Sequence, residues 1–218
     1  MQRQLYAFAA VLGLAGLFGT TAQASEGSYT VTITNLTRGT LFTPALVVTH
    51  RKGLQIFTEG EPASDELAQL AEGGATGPLQ SSLEATGKVH ASATTGVIFP
   101  GTSASVTLDM DDHANRISIA AMMVPTNDGF IGANGIRAPF LKGQSRVVYI
   151  VARDAGTEMN DESCQNIPGP HCGGEGYNAA GGEGYVHVHA GIHGEGDLSV
   201  KAYDWRNPVA KVTITRMK

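Results

Sequence analysis

The segment that decides the fold reads SRVVYIVARDAGTE and spans residues 145–158. Its first half, residues 145–151, consists mainly of β-branched and aromatic residues and fits no helical period, so it predicts a buried β-strand. The apolar run stops before Asp154, and Gly156 allows the sharp backbone turn that would bring Glu158 back toward Asp154. The segment therefore predicts a strand whose end carries two carboxylates.

Two carboxylates at the mouth of a loop suit calcium, which binds carboxylate and carbonyl oxygens at about 2.3–2.6 Å. For an isolated D-x-x-x-E pattern, however, a solvated acidic turn is the more common interpretation. Asp154 and Glu158 leave both interpretations open, and the rest of the chain has to decide between them.

Other strand-like segments surround this one. Tyr29, Val31 and Ile33 alternate with threonines, which is typical of a half-buried strand. Further strands are predicted at residues 41–49, 104–110, 116–124, 185–190, 198–203 and 209–217. Short strands at this spacing predict an all-β protein built as an antiparallel β-sandwich.

One short helix interrupts the strands. Ser64 or Asp65 would cap its start, Leu67 and Leu70 form an apolar stripe at helical spacing, and a glycine pair at residues 73–74 would end it. We expect this helix to pack at the rim of the sandwich.

Residues 153–184 predict a long glycine-rich loop that contains both cysteines, Cys164 and Cys172. A loop of this length inside a compact domain is usually functional. Residues 1–24 predict an export signal, as described next, so we expect the two cysteines to form a disulfide bond in an oxidising compartment.

The amino-terminal residues 1–24 read as a cleaved secretory signal peptide. Arg3 gives a basic start, an apolar run follows, and Ala22-Gln23-Ala24 has the form of a cleavage site ahead of Ser25. We expect a mature, secreted or periplasmic protein with one domain, residues 25–218, and no transmembrane span. The net charge of −5 argues against nucleic acid as a partner.

Three further motifs stand out: VPTNDGFIG at residues 124–132, DAGTE at residues 154–158 and NPVAKVTITR at residues 207–216. Together they resemble the spondin domain, the amino-terminal module of F-spondin-type matrix proteins. The resemblance implies a C2-like β-sandwich that binds calcium through Asp128, Asp154 and Glu158. The sequence departs from the family pattern at Gly129, where an aromatic residue is usual, and at Glu158, where aspartate is usual.

The resemblance also implies a function. We expect a free-standing bacterial form of the domain that has no enzymatic activity. It would bind calcium and contact an extracellular or cell-surface protein or glycan, as in cell adhesion.

Strand direction supports the same calcium ligands. If residues 116–124 run down the sandwich, Asp128 follows the lower end of that strand. Residues 130–133 are apolar and precede Asn134-Gly135, a reverse-turn signal, so a short strand would return upward. Residues 145–151 would then run down again and place Asp154 and Glu158 at the same end as Asp128. By the same count, the acids at residues 109–112 lie at the other end.

A second metal site is an alternative. Residues 185–193 read YVHVHAGIH, and His187 and His189 would share one face of a strand, with His193 reaching back from a turn. Three imidazoles can hold zinc or copper, although strand histidines more often serve in packing or hydrogen bonding. This pattern keeps open a metal-dependent enzyme or a transition-metal carrier.

Overall fold

The computed structural model describes residues 27–178 and 181–218. The predicted signal peptide and its cleavage site lie outside these ranges. The elements in chain order are β1 (Gly27–Asn35), β2 (Leu41–Phe42), β3 (Leu46–His50), α1 (Asp65–Gly73), α2 (Thr76–Ala85), β4 (Val89–Thr94), β5 (Ser103–Met110), β6 (Arg116–Val124), β7 (Gly129–Arg137), β8 (Ser145–Ile150), β9 (Ala152–Asp154), β10 (His187–Val188), α3 (Val200–Tyr203) and β11 (Ala210–Arg216).

Two antiparallel sheets form the sandwich. The first has the strand order β5-β1-β11-β8, and the second has the order β10-β9-β7-β6-β3-β4, with β2 also paired to β6. The predicted all-β sandwich is therefore confirmed. The chain leaves the first sheet at the end of β8 and enters the second at β9, with Val151 as the single residue between them.

The sheets are buried to different degrees. In β1, buried and partly exposed residues alternate, because only one of its faces contacts the core. In β6, by contrast, all residues after the first are buried. One face of β6, including Ile119, packs between the sheets, while Ala120 on the other face packs with Leu67 and Leu70 of α1. The nearly unbroken apolar sequence of β6 follows from this coverage on both faces.

The helices confirm one prediction and correct two. Ser64 caps α1 by accepting a hydrogen bond from the Leu67 N–H at 3.2 Å, and Gly74 ends the helix in the left-handed conformation, as expected. A second helix, α2, follows directly. The strand predicted at residues 198–203 is wrong, because this segment contains α3. The N–H groups of Ala202 and Tyr203 donate to the Ser199 carbonyl instead of to a neighbouring strand.

Two details of the strand predictions are also wrong. The strand at residues 145–151 is only half buried. Val148 and Ile150 face the core, whereas Val147 and Tyr149 lie on the outer face of β8, at the edge of its sheet, and are 50% and 60% exposed. The expected reverse turn at Asn134-Gly135 is a bulge inside β7, where the register shifts opposite Ser118. The Asn134 side chain instead anchors the neighbouring loop, binding the Ile56 N–H at 2.7 Å and the Phe57 carbonyl at 2.8 Å.

Candidate functional site

Asp128 lies in the tight turn between β6 and β7. Thr126 closes this turn, because its hydroxyl donates to the Met123 carbonyl at 2.6 Å and accepts from the Gly129 N–H at 3.0 Å. The register then pairs Gly129 with Asp154 of β9. The turn and the end of β9 are thus neighbours, and Asp128 and Asp154 share one end of the sandwich.

Asp128 is fully buried and tied to the loop after β9. Its Oδ2 atom accepts hydrogen bonds from the N–H groups of Thr157 at 2.7 Å and Glu158 at 3.1 Å. Its Oδ1 atom is buried and has no hydrogen-bond partner among the described residues. Burial, and then the charge of Asp154, raise the pKa of Asp128 to about 8. The ionised form of this carboxyl group is therefore strongly disfavoured inside the protein.

Asp154 is also fully buried. Its Oδ1 atom accepts a hydrogen bond from the Gly156 N–H at 2.8 Å, and its Oδ2 atom accepts one from the side chain of Asn160 at 2.7 Å. The Nε2 atom of His187 lies 3.4 Å from Oδ1. The adjacent Arg153 does not neutralise this charge, because its guanidinium binds Glu59 on the other side of the strand.

Glu158 contacts Asp128 through its backbone, while its carboxylate interacts with a different set of residues. Its Oε1 atom accepts a hydrogen bond from the side chain of Asn178 at 2.7 Å, and its Oε2 atom is buried without a partner in the described ranges. Burial, followed by the charges of Glu72 and Asp161, raises the pKa of Glu158 to about 7. The structure thus brings Asp128 and Asp154 to the same end of the sandwich and ties the Glu158 backbone to Asp128. The three carboxylates do not form a group whose possible ligand atoms all lie within 4.8 Å of one another.

The predicted histidine strand is shorter than expected. Only His187 and Val188 form β10, which pairs with β9 so that His187 lies opposite Asp154. The ring of His189 is buried and packs against Trp205 at a centroid distance of 5.0 Å. His193 is exposed.

Glu183 was not predicted as a metal ligand. Within the described ranges, Asp154, Glu183 and His187 form a group whose possible ligand atoms all lie within 4.8 Å of one another. The only sequence signal was its position four residues before His187. The other such group contains His171, Cys164 and Cys172, but the two cysteines form the predicted disulfide bond and are not available as thiolate ligands.

Glu162 is another acid whose role the sequence does not reveal. It is buried, and its carboxylate accepts hydrogen bonds from the N–H groups of His193, Gly194 and Glu195. These bonds hold the turn after the histidines against the long loop. Three donors satisfy Glu162, whereas Asp128 and Glu158 each keep one unpartnered oxygen among the described residues.

A family model described as Spondin_N matches residues 33–160, which is more than half of the chain. The chain belongs to the Spondin_N family. The match includes Asp128, Asp154 and Glu158 and ends before Glu183 and the histidines. A comparison with curated proteins found no match. The spondin domain and the disulfide bond fit an extracellular or periplasmic protein. No helix in the described part of the chain is long and apolar enough to cross a membrane.

Proposed function

We propose that this spondin domain is an exported, non-enzymatic module that binds calcium through Asp128, Asp154 and Glu158. It would contact an extracellular or cell-surface protein or glycan. One observation carries the proposal: Asp128 and Asp154 are both fully buried at one end of the sandwich, and no arginine or lysine in the described ranges forms an ion pair with them.

The residues present fit calcium. Calcium takes six to eight oxygen ligands, which include carboxylates, backbone carbonyls and water. Asp128 Oδ1 and Glu158 Oε2 are buried oxygens that have no partner among the described residues. Burial is the main cause of the raised pKa of Asp128, and repulsion from Asp154 is the second. A bound cation would offset this repulsion.

Calcium would supply charge compensation and would connect two loops. The protein itself already holds these loops together, since the Thr157 and Glu158 N–H groups donate to Asp128. Calcium that binds the folded chain but not the unfolded chain stabilises folding, by about 2.7 kcal/mol at a concentration of 100 times Kd. The expected result is a rigid loop end that can present a constant surface to a partner.

Thermal unfolding in millimolar calcium and in excess chelator tests this proposal. We expect calcium to raise the Tm of the wild type, and to raise that of Asp128→Asn and Glu158→Gln much less. Asp112→Asn is the matched control, because Asp112 is exposed and lies in the turn before β6, at the opposite end. An equal calcium shift in all four proteins, or none in the wild type, would show that these acids are not the site.

A further inference from the structure

The side chains of His187, Asp154 and Glu183 lie at distances that ordinary hydrogen bonding does not explain. His187 Nε2 lies 3.4 Å from Asp154 Oδ1 and 3.9 Å from Glu183 Oε2. Both distances exceed the roughly 2.7–3.2 Å of an N–H···O hydrogen bond. His187 Nε2 is nevertheless buried and has no hydrogen-bond partner among the described residues.

The same distances suit ligands that share a metal ion. In a tetrahedral zinc site with bonds of about 2.0–2.1 Å, neighbouring ligand atoms are about 3.3–3.4 Å apart. The separation of His187 Nε2 from Asp154 Oδ1 falls at the edge of this range, and Glu183 requires only a small movement of an exposed side chain.

Hydrogen bonding assigns the tautomer of His187. Its Nδ1 atom lies 3.1 Å from the Val188 carbonyl oxygen, which can only accept a hydrogen bond. In the neutral ring the proton therefore resides on Nδ1, and the lone pair of Nε2 faces the two carboxylates. Metal-bound histidines commonly donate their other ring N–H to a backbone carbonyl in this way.

His189 has the opposite tautomer. Its Nδ1 atom accepts a hydrogen bond from the Gly191 N–H at 3.0 Å, so in the neutral ring the proton is on Nε2. This Nε2 atom is buried without a partner among the described residues, in a side chain that is only 5% exposed. A Cβ atom placed on Gly129 would lie 2.9 Å from the His189 Cδ2 atom, which is bonded to Nε2. The Cδ2–Nε2 side of the ring therefore lies next to Gly129, the residue that pairs with Asp154.

Glycine makes the approach of the two segments possible. Gly156 has a φ of +67°, and a Cβ atom there would lie 2.3 Å from the Tyr185 carbonyl oxygen. The Gly184 N–H donates to the Gly156 carbonyl at 2.8 Å. The chain carrying Glu183 and His187 therefore lies directly against the loop that follows Asp154.

We propose that Asp154, Glu183 and His187 hold a zinc-type transition-metal ion, and that His189 donates a hydrogen bond to an oxygen bound to that ion. The nitrogen ligand favours a transition metal over calcium, which binds oxygen. This ligand set replaces His189 and His193 of the sequence-based alternative with two carboxylates. Glu183 and His187 lie beyond the residues that the family model matches.

This site and the proposed calcium site share Asp154 but differ in their other ligands. Glu158 belongs only to the calcium proposal, and Glu183 and His187 belong only to the transition-metal proposal. Variants at these positions therefore separate the two ideas, and failure of one leaves the other testable.

Isothermal titration of the metal-free, disulfide-bonded protein with zinc tests the proposal. We expect one ion per chain, with affinity at least about 100-fold weaker in His187→Gln and in Glu183→Gln. Mutation of a residue that only hydrogen-bonds to a metal ligand typically weakens metal affinity by about 10–100-fold. A loss of about 100-fold or more therefore indicates a direct ligand. Glu183 is exposed, so its variant should fold even if substitution of His187 disturbs β10. Calcium-dependent stabilisation should be unchanged in both.

The controls are His193→Gln and Glu158→Gln, which should bind zinc as the wild type does. Cobalt(II) gives a second readout, because tetrahedral cobalt absorbs visible light strongly, and this band should be absent in His187→Gln. The proposal is overturned if the wild type binds no zinc, if His187→Gln and Glu183→Gln bind it normally, or if His193→Gln abolishes binding.

Discussion

Both ends of the sandwich carry acidic turns, but the surroundings shift the pKa of the aspartate in opposite directions at the two ends. Before β6, Asp111 accepts hydrogen bonds from the N–H groups of Ala114 and His113 and lies 3.6 Å from His90. Burial raises the pKa of Asp111, but these backbone bonds and the nearby histidine charges outweigh it, so the pKa is lowered overall. After β6, burial and Asp154 raise the pKa of Asp128.

The comparison teaches how a structural acidic turn differs from a candidate ion site. Both turns have backbone N–H donors, so donors alone do not distinguish them. What differs is that Asp128 is fully buried, has an unpartnered oxygen among the described residues and faces a second buried carboxylate. Sequence alone shows acids at both ends, and it does not show the burial, the unpartnered oxygen or the neighbouring carboxylate that separate the two cases.

The largest expected effect comes from adding a methyl group at the Asp154 end. Gly156→Ala should lower the free energy of unfolding by about 3–5 kcal/mol, because the new Cβ would clash with the Tyr185 backbone in a left-handed conformation. Chemical denaturation measures this value.

Gly143→Ala is the matched control for Gly156→Ala. Gly143 also has a positive φ, of +78°, but a Cβ atom there would meet nothing within 4 Å. We expect it to cost only about 1–2 kcal/mol. Equal costs at the two glycines would mean that residues 183–187 do not pack closely on the loop after Asp154.

Replacing one aspartate by asparagine at each end should change the free energy of unfolding by a smaller amount, and in opposite directions. In chelator, Asp128→Asn should raise the free energy of unfolding by about 1 kcal/mol. The raised pKa of Asp128 means that folding at neutral pH disfavours its ionised form, whereas an amide does not ionise and can still accept from Thr157 and Glu158. Asp111→Asn should lower it by about 1 kcal/mol, since charge-assisted bonds are lost. Denaturation of both variants at neutral pH measures the difference, and destabilisation of both would show that the two acidic turns do not differ in this way.

The smallest effect concerns pH at the Asp111 end, where His50 is buried beside Arg116. Its Nδ1 binds the Arg51 carbonyl at 2.7 Å and its Nε2 binds the Ser118 hydroxyl at 2.8 Å. Burial is the main cause that lowers the pKa of His50. The unfolded chain then binds a proton that the folded chain does not, so stability is lost as the pH falls below about 6.5, by at most about 1.4 kcal/mol per unit.

The measurement is the slope of the free energy of unfolding between pH 7 and pH 5.5 in the presence of chelator. We expect a shallower slope in His50→Gln than in the wild type. If the slope in His50→Gln matches that of the wild type, another group is responsible.

Local patterns predicted what depends on local chemistry. The alternation in β1 and the Ser64 cap were predictable because a few adjacent residues determine them, and the disulfide was predicted from the expected export of the chain. The meeting of Asp128 with Asp154 was also expected, although for a partly wrong reason. Asn134-Gly135 forms a bulge instead of a turn, yet β7 still runs antiparallel to both β6 and β9.

The remaining features depend on long-range pairing, which no local period encodes. Val147 and Tyr149 look like core residues, but they lie on the outer face of an edge strand and are exposed. Glu183 lies in a glycine-rich stretch without periodicity, and it becomes a candidate ligand only because Gly156 admits the backbone at Tyr185. Calcium binding, zinc binding and the partner remain predictions.

The single residue between β8 and β9 has a mechanical consequence. An extended chain rises about 3.3 Å per residue and is close to its full length, so it transmits a pull with almost no slack. Tyr149 on the exposed edge is therefore connected to Asp154 by a nearly extended segment of five residues, at most about 17 Å long. A partner that displaces β8 along its axis would pull directly on Asp154, and an ion held there would resist the displacement.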